Sequence, residues 1–278
     1  MKRLLFFVNP NAGHTEIRSS LMQVIQIFTA GGYEVTVHPT AGPRDLTRQI
    51  VERGADYDLI VCTGGDGTLN EATSGLMQLE HRPPLGYIPG GTVNDVASSL
   101  GLSRDPVVAA QDIVHGKPFA IDIGAFGENR WFDYVAAFGL FTNVPYQTPQ
   151  VDKRIWGRMA YFFNGVQALG EVHPVHARVS WDGKTVEADI IDGLVCSTTS
   201  VGGFKATRAV GEFGISMNDG LYEVVLIRDI KNLADFSAVA AKLLWMDFSD
   251  ENYFITAQTS AIRFEFDDSV AWTLDGEF

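Results

Sequence analysis

The chain has 278 residues, of which 46% are hydrophobic and 20% charged, and its net charge is −13 at pH 7. This composition excludes a disordered protein and supplies enough apolar material for one large domain or two. The acidic balance argues against nucleic acid as the main partner and against loose electrostatic attachment to anionic lipid, because both attract basic surfaces. Cys62 and Cys196 lie in apolar runs without metal-type spacing, which predicts buried free thiols in a reducing compartment.

The amino terminus carries a short apolar run, residues 4–8, that stops at Asn9-Pro10. The run is too short for the apolar core of a signal peptide. No stretch approaches the 18 apolar residues that a membrane-spanning helix needs. We therefore expect a cytoplasmic protein whose membrane contact is peripheral.

The first part of the chain predicts strands that alternate with helices. The predicted strands are 4–8, 34–38, 59–62 and 85–88, and the predicted helices are 15–30, 45–53, 69–80, 95–100 and 106–115. This order is typical of a parallel sheet with crossover helices. We expect an α/β nucleotide-binding domain over residues 1–122.

The remaining sequence is rich in Val, Ile, Phe and Tyr and has turn signals between short apolar runs, which predicts antiparallel strands. The predicted strands are 120–126, 131–137, 175–181, 186–196, 222–227, 253–257, 261–266 and 270–274, with helices at about 154–169 and 232–246. We expect a β-rich second domain over residues 123–278.

A glycine-rich turn, Gly64-Gly65-Asp66-Gly67-Thr68, joins a predicted strand to a predicted helix. Glycines let backbone N–H groups approach a phosphate, while a carboxylate beside phosphate needs an intervening cation. Asp66 therefore indicates a Mg²⁺–nucleotide site, and the alternative is a tight turn with Asp66 as helix N-cap.

Two similar polar loops follow the predicted strands that end near Val8 and Ile88. Ligands of parallel sheets bind outside the carboxyl ends of the strands, so three such loops favour phosphate binding. A Walker-type lysine loop and a Gly-x-Gly-x-x-Gly opening the first helix are both missing.

Motifs along the whole chain resemble the diacylglycerol kinase catalytic-domain family, and within it the soluble bacterial lipid kinases. The matching motifs are Asn9-Pro10 with Ala12-Gly13, Thr40 in Pro39-Thr40-Ala41-Gly42, Gly64 to Glu71, Pro89-Gly90-Gly91-Thr92-Val93-Asn94-Asp95, Trp156-Gly157-Arg158, Asn218-Asp219-Gly220-Leu221 and Asp275-Gly276-Glu277. The first glycine motif is also shared by NAD kinases and phosphofructokinases. The loop around Asn94 and the terminal Asp-Gly-Glu are more specific to the lipid kinases.

The resemblance implies two domains, with ATP in a nucleotide cleft between them. Carried over position by position, the implied nucleotide-binding residues are Asn9, Pro10, Asn11, Ala12, Gly13, Thr40, Gly65, Asp66, Gly67, Thr68, Leu69, Asn70, Glu71 and Thr92. Loop amides and threonine hydroxyls suit phosphate oxygens. Taken alone, Thr40 and Thr92 would be interpreted as ordinary turn or cap residues.

The resemblance also implies the catalytic residues. Glu277 would accept the proton of the lipid hydroxyl, Asp275 would join the same carboxylate and metal-water network, and Asp66 would orient water ligands of a catalytic Mg²⁺. Without the resemblance, Asp275 to Glu277 would be interpreted as a surface turn near a chain end.

A second, structural Mg²⁺ is implied at the Asp219 carboxylate with the main-chain carbonyls of Ser216 and Leu221. The alternative at Asp219-Gly220 is a hairpin turn leading into a strand. Both can hold, because a turn presents carbonyls outward.

The implied activity is ATP-dependent phosphorylation of a lipid hydroxyl at a membrane surface, with diacylglycerol as the expected acceptor and phosphatidic acid as product. The alternatives are an NAD kinase-like enzyme and a non-catalytic lipid-binding protein of the same fold. Lys153, Arg154 and Arg158 form a basic cluster that could face the lipid or be solvated surface charge. A homodimer is also considered.

Overall fold

In the computed structural model of the protein, the described residues are 1–10, 16–139, 173–198, 200–201, 204–205, 216–244 and 247–276. Contacts divide the chain into two compact units, Met1–Asp133 and Tyr134–Phe278. The division follows Asp133 and so lies later than the boundary expected at residue 122.

The first unit contains four parallel strands and their crossover helices. The strands are β1 (Lys2–Val8), β2 (Tyr33–Pro39), β3 (Leu59–Gly64) and β4 (Leu85–Pro89), in the spatial order β2-β1-β3-β4. The helices are α1 (Glu16–Ala30), α2 (Asp45–Arg53), α3 (Asp66–Leu76), α4 (Asp95–Leu100) and α5 (Pro106–His115), and a 3₁₀ turn covers Gly54–Asp56. A two-stranded ribbon, β5 (Gly124–Ala125) with β6 (Trp131–Phe132), completes the unit.

The core of this unit lies between β1 and the apolar stripes of α1 and α5. Val24 and Phe28 of α1 are fully buried, at the four-residue spacing that places two side chains on one face of a helix. The Phe28 ring meets the Phe6 ring edge-on, with 5.5 Å between their centroids. The central strands β1 and β3 are buried on both faces, as expected of strands inside a parallel sheet covered by helices.

The sequence predicts that three polar loops follow the carboxyl ends of parallel strands, and the sheet confirms this. β1, β3 and β4 are consecutive neighbours in the sheet, and their carboxyl ends share one edge. The loops that follow Val8, Gly64 and Pro89 therefore lie along that edge.

The second unit is built on antiparallel strands. They are β7 (Val135–Gly139), β8 (Val175–Trp181), β9 (Lys184–Cys196), β10 (Ser200–Val201), β11 (Phe204–Lys205), β12 (Tyr222–Arg228), β13 (Phe254–Thr259), β14 (Arg263–Phe266) and β15 (Trp272–Leu274). The main sheet has the order β13-β12-β9-β7-β15, and β8 joins it by pairing with β9 and β14. Asp182 and Gly183 form the tight β8–β9 turn with positive φ at both positions, as the Asp-Gly pair predicts.

Helix α6 (Leu233–Leu244) covers one apolar cluster of this sheet, which includes Val225 and Phe254. Phe138 belongs to a different cluster, where its ring lies 4.6 Å from Trp272 and also contacts Phe264 and Phe266. Phe138 is fully buried and is thus a core residue. Both cysteines are buried free thiols, as predicted, and burial raises the pKa of Cys196 to about 12.

Two sequence predictions of strands are wrong. The run 120–126 forms only the two-residue strand β5, and the run 131–137 is interrupted at Asp133 and Tyr134. The interruption occurs where the chain passes from one unit to the other, and the backbone N–H of Tyr134 there donates to a side chain instead of a neighbouring strand.

The predicted helix 154–169 and the basic cluster Lys153, Arg154 and Arg158 lie outside the described residues. Among the helices that the structure describes, none is long and apolar enough to cross a membrane.

Candidate active site

Asp66 occupies the first position of α3, and its carboxylate reaches across to the loop after β4. The N-cap of α3 is Gly65, with no side-chain cap bond, so the interpretation of Asp66 as N-cap is wrong. Asp66 Oδ2 instead accepts the backbone N–H of Asn94 at 2.9 Å. The carboxylate therefore ties two of the glycine loops together.

The same two loops approach each other closely through their backbones. Gly90 N donates to Gly64 O at 2.7 Å, and a Cβ atom placed on Gly91 would lie 2.5 Å from the Cα of Gly65. Real Cβ contacts are never that short, so this approach requires a glycine at position 91. The result is a main-chain cradle with little side-chain cover, which suits phosphate binding.

Asn94 fixes the shape of the second loop. Its φ is 56°, in the left-handed region, and only 1% of its surface is exposed. Its side chain accepts from Gly91 N at 2.9 Å, donates to Gly91 O at 2.7 Å and accepts from the Tyr87 hydroxyl at 3.2 Å. Asparagine tolerates this conformation, and the three side-chain hydrogen bonds fix it in one arrangement.

Tyr87 is a site residue that sequence reasoning missed. The single proton of its hydroxyl is shared between Gly64 O at 3.0 Å and Asn94 Oδ1 at 3.2 Å, so one buried phenol contacts both loops. Burial, and then the charge of Asp66, raise the pKa of Tyr87 far above its usual value, which keeps the hydroxyl protonated and able to donate. The only available signal was a tyrosine within the short strand before Pro89-Gly90-Gly91.

Arg104 was also missed. Its Nη2 donates to Val93 O at 2.5 Å and its Nη1 to Thr92 O at 3.4 Å. Thr92 itself is exposed on the loop, as a phosphate contact must be. No local signal marked Arg104, which lies nine residues beyond the end of the motif, Asp95, in an ordinary connecting loop.

The loops after β1 and β2 join the same edge. Asn9 N donates to Thr63 O at 3.4 Å, and Asn9 Nδ2 donates to Thr68 Oγ1 at 3.3 Å. Thr40 N donates to Val8 O at 2.9 Å, which brings its loop beside the first. The structure thus groups Asn9, Thr40 and Thr68, whereas Asn11, Ala12, Gly13 and Glu277 of the predicted site lie outside the described residues.

Three further residues of the predicted nucleotide set lie on α3 and are held by the protein itself. Glu71 Oε1 accepts from Arg44 N at 3.0 Å and thereby joins α3 to the start of α2. Asn70 Nδ2 donates to Trp131 O at 3.1 Å, and Leu69 is buried. These contacts orient the helix that begins at the glycine turn.

A partly buried hydrogen-bond network centred on Asp45 fixes the Thr40 loop. Asp45 Oδ2 accepts the N–H of Ala41 at 2.9 Å and contacts His38 Nε2 at 3.0 Å. The other ring nitrogen, Nδ1, lies 3.1 Å from Arg53 Nη2, which can only donate, so Nε2 carries the proton given to Asp45. The Ala41 hydrogen bond and then the His38 hydrogen bond lower the pKa of Asp45 to about 2.

Asp275 is a buried carboxylate of the second unit. Its Oδ1 accepts the N–H groups of Tyr134 and Val135, each at 3.0 Å, and its φ is 52°. The side chain thus fixes the turn that immediately precedes Glu277.

The predicted structural Mg²⁺ residues lie at the start of β12. Asp219 is exposed, and its Oδ1 accepts the N–H of Leu221 at 3.0 Å. Gly220 has a φ of 76° and lies in a bend that leads into β12, whereas the hairpin of the alternative interpretation stays a prediction because residues 206–215 lie outside the described residues. Ser216 contacts Asn218 through its hydroxyl at 2.9 Å.

The donor chemistry around Asp66 fits Mg²⁺ bound together with a nucleotide. Among the described residues, no group of three or more His, Cys, Asp or Glu could chelate an ion directly. Mg²⁺ keeps several waters and is commonly bound by one or two carboxylates plus substrate phosphates. A single anchored carboxylate beside a main-chain cradle is consistent with that mode.

Comparisons with known proteins agree with this geometry. Residues 3–126 match the diacylglycerol kinase catalytic domain. The chain is 34% identical over 280 residues to the diacylglycerol kinase of Bacillus subtilis (strain 168), covering 100% of this chain and 90% of the relative. It is 29% identical to the diacylglycerol kinase of Staphylococcus aureus (strain MRSA252), covering 100% and 86%.

Solved structures show the same fold. A crystal structure of a diacylglycerol kinase from Bacillus anthracis (strain Sterne) matches with a TM-score of 0.75 at 23% identity, covering 99% of this chain and 89% of that one. Another crystal structure from that strain gives 0.82 at 24% identity, covering 100% and 90%. Because the chain is 34% identical to the Bacillus subtilis enzyme over its whole length, it belongs to the diacylglycerol kinase family. It is a lipid kinase that phosphorylates a hydroxyl group.

Proposed function

We propose that this protein transfers the γ-phosphoryl group of ATP to the free hydroxyl of diacylglycerol and so produces phosphatidic acid. The observation that carries the proposal is the 34% identity, over the whole chain, to a Bacillus subtilis relative named diacylglycerol kinase. The glycine loops that meet at one sheet edge support the ATP part of the proposal.

ATP would be held by the loops after β1, β2, β3 and β4. Main-chain N–H groups and the hydroxyls of Thr40, Thr68 and Thr92 supply neutral donors that suit phosphate oxygens. When bound with ATP, Mg²⁺ neutralises phosphate charge and helps align the γ-phosphoryl group. Asp66 would orient water molecules beside the phosphates. Its Oδ2 would at the same time keep the hydrogen bond from the Asn94 N–H.

Glu277 would accept the proton of the lipid hydroxyl as the hydroxyl oxygen forms its bond to the γ-phosphorus. The bond from the γ-phosphorus to the β–γ bridging oxygen breaks, and ADP leaves. Asp275 supports this role because its buried carboxylate, bonded to two backbone amides, fixes the turn before Glu277.

The acceptor and the role of Asp66 can be tested together. Labelled ATP is offered with a panel of diacylglycerol, phosphatidylglycerol, a polyprenol, a sphingoid-like alcohol and NAD, the lipids in mixed micelles. We expect label in phosphatidic acid, and Asp66→Asn should reduce the rate about 100-fold or more. Asp112→Asn, an exposed carboxylate on α5, is the matched control and should keep the wild-type rate. Label only in another acceptor would overturn the proposed substrate, and an unaffected Asp66→Asn enzyme would overturn the role of Asp66.

We also propose the second Mg²⁺ site at Asp219 with the carbonyls of Ser216 and Leu221. Asp219 is an exposed carboxylate in a bend, and a carboxylate together with main-chain carbonyls is a donor set that suits a hard cation. Mg²⁺ should then raise the melting temperature of the wild-type protein, and Asp219→Asn should remove most of that rise. An equal rise in both proteins would contradict the site.

Contact with the membrane surface is proposed through Lys153, Arg154 and Arg158. Replacing all three by Gln should weaken sedimentation with diacylglycerol-containing vesicles while leaving ATP affinity unchanged; unchanged sedimentation would refute the contact. A homodimer stays a prediction that sedimentation velocity tests.

A further inference from the structure

The peptide unit between Val93 and Asn94 lies between two opposite charges. Its carbonyl oxygen accepts from Arg104 Nη2 at 2.5 Å, and its N–H donates to Asp66 Oδ2 at 2.9 Å. A trans peptide unit is planar, with its C=O and N–H pointing in opposite directions. One rigid group therefore connects the Arg104 cation to the Asp66 anion.

The neighbouring peptide has the same orientation. The carbonyl of Thr92 also faces the Arg104 guanidinium, at 3.4 Å, so the N–H of Val93 points to the opposite side. Carbonyl oxygens repel phosphate, whereas N–H groups attract it. The Arg104 guanidinium thus holds the carbonyls of Thr92 and Val93 on its own side of the loop. The N–H groups of the same two peptides therefore point to the opposite side.

The contact between Arg104 and the two loop carbonyls lies at the surface of the protein and not in its core. Arg104 is exposed, and so are Thr92 and Val93, the latter by 38% of its surface. Water can replace the guanidinium at an exposed carbonyl, so loss of Arg104 should cost little global stability. It should instead free the orientation of the loop, which turns at Asn94 with a φ of 56°.

We propose that Arg104 is a positioning residue, which acts through the Val93–Asn94 peptide to fix the Asp66 carboxylate and the donors of the loop 90–94. The proposal rests on the proposed binding of Mg²⁺–ATP at these loops. Arg104 itself need not touch the nucleotide. Its charge-assisted bonds to main-chain oxygens are stronger than neutral ones and have a fixed fork geometry.

The test compares Arg104→Gln and Arg104→Lys with a matched control, Arg82→Gln. Arg82 is exposed too, but it precedes β4 and so lies toward the opposite end of that strand from the loop. The control removes the same charge from the same unit without touching residues 90–94. Lysine keeps the positive charge, but its compact ammonium group lacks the planar fork with which the guanidinium contacts both carbonyls.

The first readout is amide hydrogen exchange without any ligand. In Arg104→Gln, the Asn94 amide should exchange about ten times faster than in the wild type, while the amides of β1 and the melting temperature stay unchanged. Arg104→Lys should be intermediate, and Arg82→Gln should match the wild type. Unchanged exchange at Asn94 in Arg104→Gln would overturn the proposal.

The second readout is steady-state phosphorylation of diacylglycerol. Arg104→Gln should raise the KM for ATP about tenfold and should also raise the Mg²⁺ concentration that gives half the maximal rate. Both values should return part of the way toward the wild type in Arg104→Lys. Faster exchange with unchanged kinetics would show a purely structural contact and would overturn the positioning role. A wild-type protein that phosphorylates no lipid would refute the proposed function instead, and the exchange experiment would still judge the contact.

Discussion

The two units fix their site carboxylates in different ways. In the first unit, Asp66 accepts one amide from a loop 28 residues away, and backbone-to-backbone packing of glycines brings that loop near. In the second unit, Asp275 accepts two amides from residues about 140 positions earlier in the chain. The first arrangement depends on the absence of side chains, and the second depends on one carboxylate.

The largest effect on activity is expected where the first unit depends on glycine. Gly91→Ala would place a Cβ 2.5 Å from the Cα of Gly65, so the two loops must separate. We expect kcat/KM to fall about 100-fold, since small displacements of positioning groups are costly, and the free energy of unfolding to fall by about 2 kcal/mol. Lipid kinase assays measure kcat/KM, and denaturant titrations measure the free energy of unfolding.

Gly90→Ala is the matched control in the same loop. A Cβ there would have its nearest neighbour at 3.5 Å, which is ordinary contact. It should keep most of the activity. Equal losses in the two variants would show that loop packing is not the cause.

The second unit should respond to loss of the carboxylate. Asp275→Ala leaves the buried N–H groups of Tyr134 and Val135 without their acceptor and puts alanine at a φ of 52°. We expect a loss of about 3 kcal/mol in the free energy of unfolding.

Asp275→Asn keeps a side-chain oxygen and tolerates positive φ, so it should lose less than about 1 kcal/mol. Thermal or denaturant unfolding of both variants makes the comparison. Similar stability of the alanine and asparagine variants would contradict the carboxylate clamp.

Asp45 provides a carboxylate clamp inside the first unit, and its effect depends on pH. The Ala41 and His38 hydrogen bonds lower its pKa from 3.8 to about 2 in the folded state. A depressed folded pKa gives stability that is complete above the unfolded pKa and disappears as the pH falls toward 2. The stability advantage of the wild type over Asp45→Asn should therefore shrink by about 2 kcal/mol between pH 6 and pH 2.

Denaturant unfolding at several pH values measures that difference. An advantage that stays constant down to pH 2 would show that Asp45 is not held ionised by these bonds.

The smallest effect concerns backbone strain. Arg44 has a φ of 64° at the N-cap of α2, where glycine would be relaxed. Arg44→Gly should raise the free energy of unfolding by about 1 kcal/mol. Arg82→Gly, at an exposed loop position without positive φ, should lower it slightly through chain entropy. A loss of stability in Arg44→Gly would indicate that the arginine side chain itself stabilises the loop.

The same contrast explains what the sequence could predict. Glycine spacing and strand patterns are local, so the three loops at one sheet edge were predictable, as were most strands. The start of α3 was placed three residues late because the glycine turn already forms its first helical bonds, from Thr68 N and Leu69 N to Gly65 O.

Contacts between distant segments left no local signal. The guanidinium of Arg104 meets loop carbonyls eleven and twelve residues earlier, and the carboxylate of Asp275 meets amides across the whole second unit. Such pairs depend on how the chain folds back on itself, and composition or periodicity does not encode them.

The loops around Asp66 and Asn94 are proposed to bind Mg²⁺–ATP. The most direct test is hydrogen exchange of the wild-type protein with and without saturating Mg²⁺–ATP. We predict slower exchange at residues 64–68 and 90–94 and no change in β12 of the second unit. Unchanged exchange in both loops at saturating nucleotide, or protection confined to the second unit, would contradict the claim.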